Sequence, residues 1–224
     1  MNVKLISHSQ LSNKFSAVEM DVQDLIAYCA RVSNPANQSN TQTSEKLVRY
    51  LIKNKHWSPL EMVSACVEVT TTRDIARQLL RHRSFSFQEF SQRYADPVKE
   101  LDFVTREARL QDTKNRQNSL SNADEATKLW WENKQQEVIA LVTETYKAAL
   151  EKGIAKEQAR AILPEGNTIS RLYVSGTLRS FIHYIEVRSG NGTQKEHMEI
   201  AQEMAIVLAP IFPMIAEFVN IKNS

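Results

Sequence analysis

A chain of 224 residues, 42% hydrophobic and 24% charged, suits a single soluble domain that can bury a core of its own. Its formal net charge of +2 is too weak to recruit DNA or an anionic membrane, so any basicity that matters must be local. The five glycines all fall at or after Gly153, which excludes a P-loop and a dinucleotide-binding fingerprint, since both need clustered glycines to bring backbone amides against phosphate.

Met1 to Phe15 alternates apolar and polar residues and lacks the apolar run of a secretory signal. No later stretch approaches a membrane span, so the expected home is the cytoplasm. Val3–Ser7 reads as a short strand. Asp21–Ser33 reads as a helix with Leu25, Ile26, Cys29 and Val32 on one face, and the turn-rich Asn34–Thr43 as a loop. Ser44–Lys55 is amphipathic, with Leu47, Val48, Leu51 and Ile52 at helical spacing. After His56-Trp57-Ser58-Pro59-Leu60-Glu61-Met62, the residues Val63, Ala65, Val67 and Val69 alternate with polar neighbours as a strand does. Thr70–Leu80 reads as a helix capped by threonine, with Ile75, Ala76, Leu79 and Leu80 on one face. Cys29 and Cys66 have apolar neighbours and no metal-ligand spacing, which suits reduced core thiols; no metal is called for.

Arg81 to Tyr94 concentrates Arg81, His82, Arg83, Glu89 and Arg93 among Phe85, Phe87, Phe90 and Tyr94. No lysine lies between Arg73 and Arg93, and fixed guanidinium groups favour bidentate phosphate recognition over a diffuse basic face. Two other readings stay open: a solvated, salt-bridged helix end, or a homo-oligomer that grips single-stranded nucleic acid through basic and stacking residues. Glu89 and the modest net charge count against the latter.

Arg106–Asn122 is a polar surface excursion, and Asp124–Lys152 a long helix ended by Gly153. On it Trp131, Val138, Val142 and Leu150 suit a core or a subunit interface. Ala155–Leu163 is a short helix closed by Pro164, where Glu157 and Arg160 stand one turn apart as a default ion pair. Asn167–Val174 is extended. Thr177–Val187 is a helix with Leu178, Phe181, Ile182 and Ile185 inward and Arg179, His183 and Arg188 on its other faces or end. A break at Ser189-Gly190-Asn191-Gly192 precedes the last helix, Gln194–Leu208, which turns Met198, Ala201, Met204, Ala205 and Leu208 inward. The fold class is α+β: one mostly helical domain over residues 1–224 with a small antiparallel sheet.

Four stretches in series resemble the flavin-dependent thymidylate synthases, also called the thymidylate synthase complementing proteins. Arg81-His82-Arg83 followed by Ser91 matches that family's Arg-His-Arg, seven residues, Ser signature. His56-Trp57-Ser58-Pro59-Leu60-Glu61 is similar to its segment before the same strand. Glu157-Gln158-Ala159-Arg160-Ala161-Ile162-Leu163-Pro164 is similar to its Glu-x-Ala-Arg-x-x-Leu-Pro helix. Leu178-Arg179-Ser180, His183 and Arg188, then Gln194 and Glu196, resemble its last motif, so the likeness runs from about residue 20 to 215.

That resemblance implies reductive methylation of dUMP to dTMP, with methylenetetrahydrofolate as carbon donor and NADPH as reductant through FAD, and no cysteine nucleophile. It implies a homotetramer with active sites between subunits. For dUMP it points to Gln78, Arg81, Glu89, Phe90, Ser91, Gln92, Arg93, Arg160 and Arg188, and to Arg188 as the catalytic cation at the uracil ring. For FAD it points to His56, Ser58, Arg81, His82, Arg83, Glu89, Thr177, Leu178, Arg179 and His183. The chain departs from the family pattern at Met62, Thr177, His183 and Thr193. A relative that binds FAD and dUMP without turnover is the remaining alternative.

Overall fold

The computed structural model describes residues 1–12, 20–190 and 192–219; the part of the glycine break at Asn191, and the end of the Met1–Phe15 stretch, lie outside them. The centre is a four-stranded antiparallel sheet in the order β1-β2-β6-β3, with β1 at Asn2–His8, β2 at Ser64–Thr72, β3 at Ser86–Glu89 and β6 at Ile169–Thr177. The alternation read from β2 is a real burial pattern: Val63, Ala65, Val67 and Val69 face the core with Leu172 and Val174 of β6. A register shift in β1 between Leu5 and Ser7 is a bulge on an edge strand, where bulges blunt pairing.

Helices α1 (Val22–Ala30), α2 (Ser44–Lys53), α7 (Leu178–Arg188) and α8 (Lys195–Leu208) enclose this core. Helix α1 starts on a capping box in which Asp21 accepts from the Asp24 N–H and Asp24 answers. It is shorter than the apolar spacing suggests: Ile26 is buried but Val32 lies beyond the helix and is exposed. The inward face of α7 is as read, with Leu178, Phe181, Ile182 and Ile185 all in the core.

Two expectations need correction. The helix expected over Thr70–Leu80 is split: β2 continues through Thr72, and only α3, Arg73–Leu79, is helical. Thr70, Thr71 and Thr72 pair in register with Arg171, Ser170 and Ile169, and β-branched residues with a ladder partner stay extended. Strand β3 was not anticipated, because its aromatics looked like a binding stripe. In the structure Ser86–Glu89 closes the sheet edge against Ser175–Leu172.

Beyond the sheet lie α4 (Pro97–Glu100), a hairpin of β4 (Leu110–Gln111) and β5 (Ser119–Leu120), the long helix α5 (Glu125–Glu151) and α6 (Lys156–Ala159). The Arg106–Asn122 excursion is therefore a hairpin. Its base is tied down where Arg106 bonds Thr72 Oγ1 and Asp74 Oδ1, each at 2.6 Å. Helix α5 buries only Gln135 and Tyr146, the latter in a small second core with Ala159 and Leu163. Trp131 and Val138 are exposed and not core, which leaves the subunit-interface alternative for that face. Among the described residues no helix is long and apolar enough to cross a membrane.

Candidate functional site

Strands β2 and β6 are antiparallel neighbours, and each runs straight into a helix, so α3 and α7 leave the sheet from opposite ends. Thr177 caps α7 by accepting from the Ser180 N–H, so the threonine that departs from the family pattern does the capping work itself. Ser180 Oγ in turn donates to the Ser84 carbonyl, tying α7 to the Arg81–Ser84 turn. Phe85, wedged against Phe181 and Tyr184, anchors the same turn in the core.

The end of α3, the end of α7 and the start of α8 bring one polar cluster together. Arg188 Nε donates to His82 Nε2 at 3.0 Å, and its terminal nitrogens make no hydrogen bond among the described residues. Burial, then the Arg188 and His183 charges, hold the His82 pKa down to about 4, so it accepts as a neutral imidazole. Gln78 Nε2 donates to Gln194 Oε1 at 2.8 Å, and Gln78 Oε1 stands 3.2 Å from His197 Nδ1. Tyr184 lies beneath, its ring 4.9 Å from that of His82, and burial raises its hydroxyl well above the usual range.

A second cluster surrounds the start of α3, about 7 Å away along the helix axis. Glu89 of β3 accepts from Ser170 Oγ at 2.7 Å and faces Arg73 at 3.6 Å. Arg160, in the turn after α6, carries no ion pair among the described residues, and its charge adds to the burial that lowers the Arg73 pKa. The Glu157–Arg160 pair expected from spacing is not formed. Glu157 faces Arg93 at 3.5 Å instead, because a short 3-10 turn at Arg160–Ile162 redirects Arg160. Ser91 Oγ accepts from the Arg93 N–H, and the Phe90 N–H prolongs the sheet edge to the Arg171 carbonyl. Gln92 is buried, and its Nε2 has no partner among the described residues.

Of the residues assigned to FAD, Arg179 and His183 line a cleft of about 650 Å³ whose walls also include Lys53, Lys55, Trp57 and Ile182, and the Arg81–Arg83 turn runs into Ser84 at its wall. Arg179 pairs with Glu61 at its edge. His56 is exposed with its ring edge-on to Tyr50, and Ser58 opens the 3-10 turn before β2. Leu178 is the exception: its side chain is in the core and its N–H goes to the Val63 carbonyl, which leaves only its own carbonyl for a ligand. Arg81 and Arg83 are exposed with no carboxylate partner among the described residues. A cleft that mixes Trp57 and Ile182 with Lys53, Lys55 and Arg179, next in the chain to the exposed Arg81 and Arg83, fits a flavin nucleotide, whose ring wants cover and whose pyrophosphate wants cations.

The aromatic interleaving of Arg81–Tyr94 is not a stacking platform. Phe85 is core, Phe87 and Phe90 are half-buried, and only Tyr94 is open, at 84% exposed. Residue type alone missed Arg73, Ser170, Tyr184 and His197. Helical spacing puts His197, four residues before Ala201, on the inward face of α8, and nothing in the sequence pairs it with Gln78.

The model of the family described as thymidylate synthase complementing protein matches residues 16–214. A probable flavin-dependent thymidylate synthase of Paramecium bursaria Chlorella virus 1 is 50% identical over 195 residues, 87% of this chain and 89% of that protein. The flavin-dependent thymidylate synthase of Synechocystis sp. is 49% identical over 216 residues, 96% of this chain and 98% of the relative. A UMP/dUMP methylase from Streptomyces cacaoi, solved with 5-Br dUMP, superposes with a TM-score of 0.77 at 24% identity, covering 97% of this chain and 93% of its own, which shows a shared fold. The chain belongs to the thymidylate synthase complementing protein family.

Proposed function

We propose that this chain is a flavin-dependent thymidylate synthase that converts dUMP to dTMP, taking the carbon from methylenetetrahydrofolate and the electrons from NADPH. Family membership and the match to two flavin-dependent thymidylate synthases near half identity support the activity. The observation that carries the mechanism is Arg188: it is held through Nε by a neutral histidine and has both terminal nitrogens available. A cation there stabilises negative charge developing in the uracil ring and raises the nucleophilicity of its carbon without a covalent enzyme adduct. Burial pushes the Cys29 and Cys66 thiols up, away from the thiolate that a cysteine nucleophile needs.

Arg81, Arg93 and Arg160, with Gln78 and Ser91, hold the uridylate phosphate and sugar. Gln92 and Phe90 line the same segment, and Glu89 keeps it seated on Ser170. His56, Ser58, Arg81, His82, Arg83, Glu89, Thr177, Arg179, His183 and the Leu178 carbonyl would hold FAD, which when bound would supply hydride transfer from NADPH toward the one-carbon unit. The two arginine clusters sit at opposite ends of α3, which suits sites completed by a neighbouring subunit in a cytoplasmic homotetramer.

The purified protein is expected to be yellow and to form dTMP only when dUMP, methylenetetrahydrofolate and NADPH are all present. Arg188→Ala should keep its flavin and lose turnover by a factor on the order of 10² to 10³. Near-native turnover in that variant would remove the activation role. Flavin that NADPH bleaches anaerobically, with no dTMP formed by the wild type, would identify a binding relative without turnover.

A further inference from the structure

The functional reading makes Gln78 a contact for the nucleotide, and the structure shows what holds its amide. Helix α8 and its N-cap reach it at both ends, through Gln194 Oε1 and His197 Nδ1. The hydrogen-bond polarity of this relay has one solution. Glu196 is its fixed end: burial pushes the carboxyl up, but its own backbone N–H, Arg109 at 2.7 Å and Gln194 more than offset this, so it is ionised and only accepts. Gln194 Nε2 therefore donates to Glu196, at 3.0 Å, which turns Gln194 Oε1 toward Gln78. Gln78 must then present Nε2 to Gln194 and Oε1 to His197, and His197 must carry its proton on Nδ1.

His197 suits that task. It is 1% exposed, and its ring packs 5.7 Å from Tyr184 and 6.2 Å from His82. Its Nε2 is buried with no hydrogen-bond partner among the described residues. Burial, then the charges of Arg188 and His82, hold its pKa down to about 4, so it stays a neutral Nδ1–H donor across the working range. Resting on the functional reading above, we propose that His197 is a positioning residue whose Nδ1–H locks the Gln78 amide and keeps the second Nε2–H as a donor to the uridylate. An amide free to flip would offer its carbonyl oxygen to an anionic oxygen for part of the time, and two acceptors repel. The motif residues Gln194 and Glu196 set the direction of the relay, and the neighbouring His197 completes it.

The test is dUMP binding to the FAD-loaded protein by titration calorimetry, with turnover measured in parallel. His197→Leu removes the donor and fills the space. It is expected to raise Kd and KM for dUMP about tenfold, with kcat within about twofold and flavin content unchanged. His197→Asn, which can place an amide N–H near the Nδ1 position, should recover most of the affinity. Gln194→Leu releases the other end of the same amide at a half-buried position, and should weaken dUMP binding similarly even if His197→Leu does not fold. Unchanged dUMP affinity in either folded, flavin-loaded leucine variant would overturn the role, as would a loss of kcat and flavin that asparagine does not rescue. A wild-type protein that holds flavin and binds no dUMP would sink the functional reading and this inference with it.

Discussion

At Arg188 one nitrogen is given to a neighbour and the others are left for a ligand, and this division works only while His82 is neutral. His82 and His197 both have pKa values held to about 4, chiefly by burial. Between the ordinary imidazole value near about 6.5 and about 4, the unfolded chain binds protons that the folded chain refuses, so stability falls as pH falls through that window and is level above it. Urea midpoints measured against pH should show this decline, with a slope approaching two protons. His197→Asn should reduce the slope by about one. A flat profile from pH 7 to 4 would mean that the two imidazoles are not buried in neutral form. The guanidinium groups were legible in the sequence because their chemistry is written in residue type and motif spacing. His197 was not, since a single histidine on the apolar face of a helix looks like any core position until Gln78 is seen beside it.

The elements that carry the site follow from pattern where the pattern is local. Strand β2, the inward face of α7 and most of α8 could be read from period alone. The start of α3 and the whole of β3 could not, because both are decided by pairing with β6, which lies about a hundred residues from the first and more than eighty from the second. Gly176 joins these two levels. It sits in β6 against Phe85, the residue after the Arg81–Ser84 turn, and a Cβ there would stand under 3.0 Å from the edge of that buried ring. That ring is walled by Phe181 and Tyr184 and cannot swing away cheaply. Gly176→Ala is therefore expected to destabilise by about 1–3 kcal/mol and to lower flavin content by shifting the turn that bears Arg81, His82 and Arg83. Thermal midpoint and the flavin-to-protein absorbance ratio measure the two effects. An unchanged ratio in a destabilised protein would separate the Phe85 seat from the flavin site.

At the scale of the whole molecule, α5 is the element that a single chain does not explain. Its 27 residues bury two side chains, while Trp130 at 58%, Trp131 at 38%, Val138 at 45% and Leu141 at 64% stay exposed. At 100° per residue those four fall within about 100° of arc, an apolar stripe of the width that a packing partner covers. The sequence pattern left core and interface open for this helix, because periodicity reports an apolar face without saying what meets it. The proposed homotetramer would place another subunit against this stripe. Leu141→Glu separates assembly from folding, since an exposed helical glutamate costs the lone chain within about 0.5 kcal/mol. Circular dichroism should be unchanged. Light scattering should fall from about 100 kDa, the mass of four chains of 25.6 kDa, toward a smaller species. Flavin and dUMP binding should fall with it, because the arginines at the two ends of α3 then lack the neighbour that completes each site. A Leu141→Glu protein that remains tetrameric and yellow would place the subunit contact on another face and leave the exposed tryptophans for a different partner.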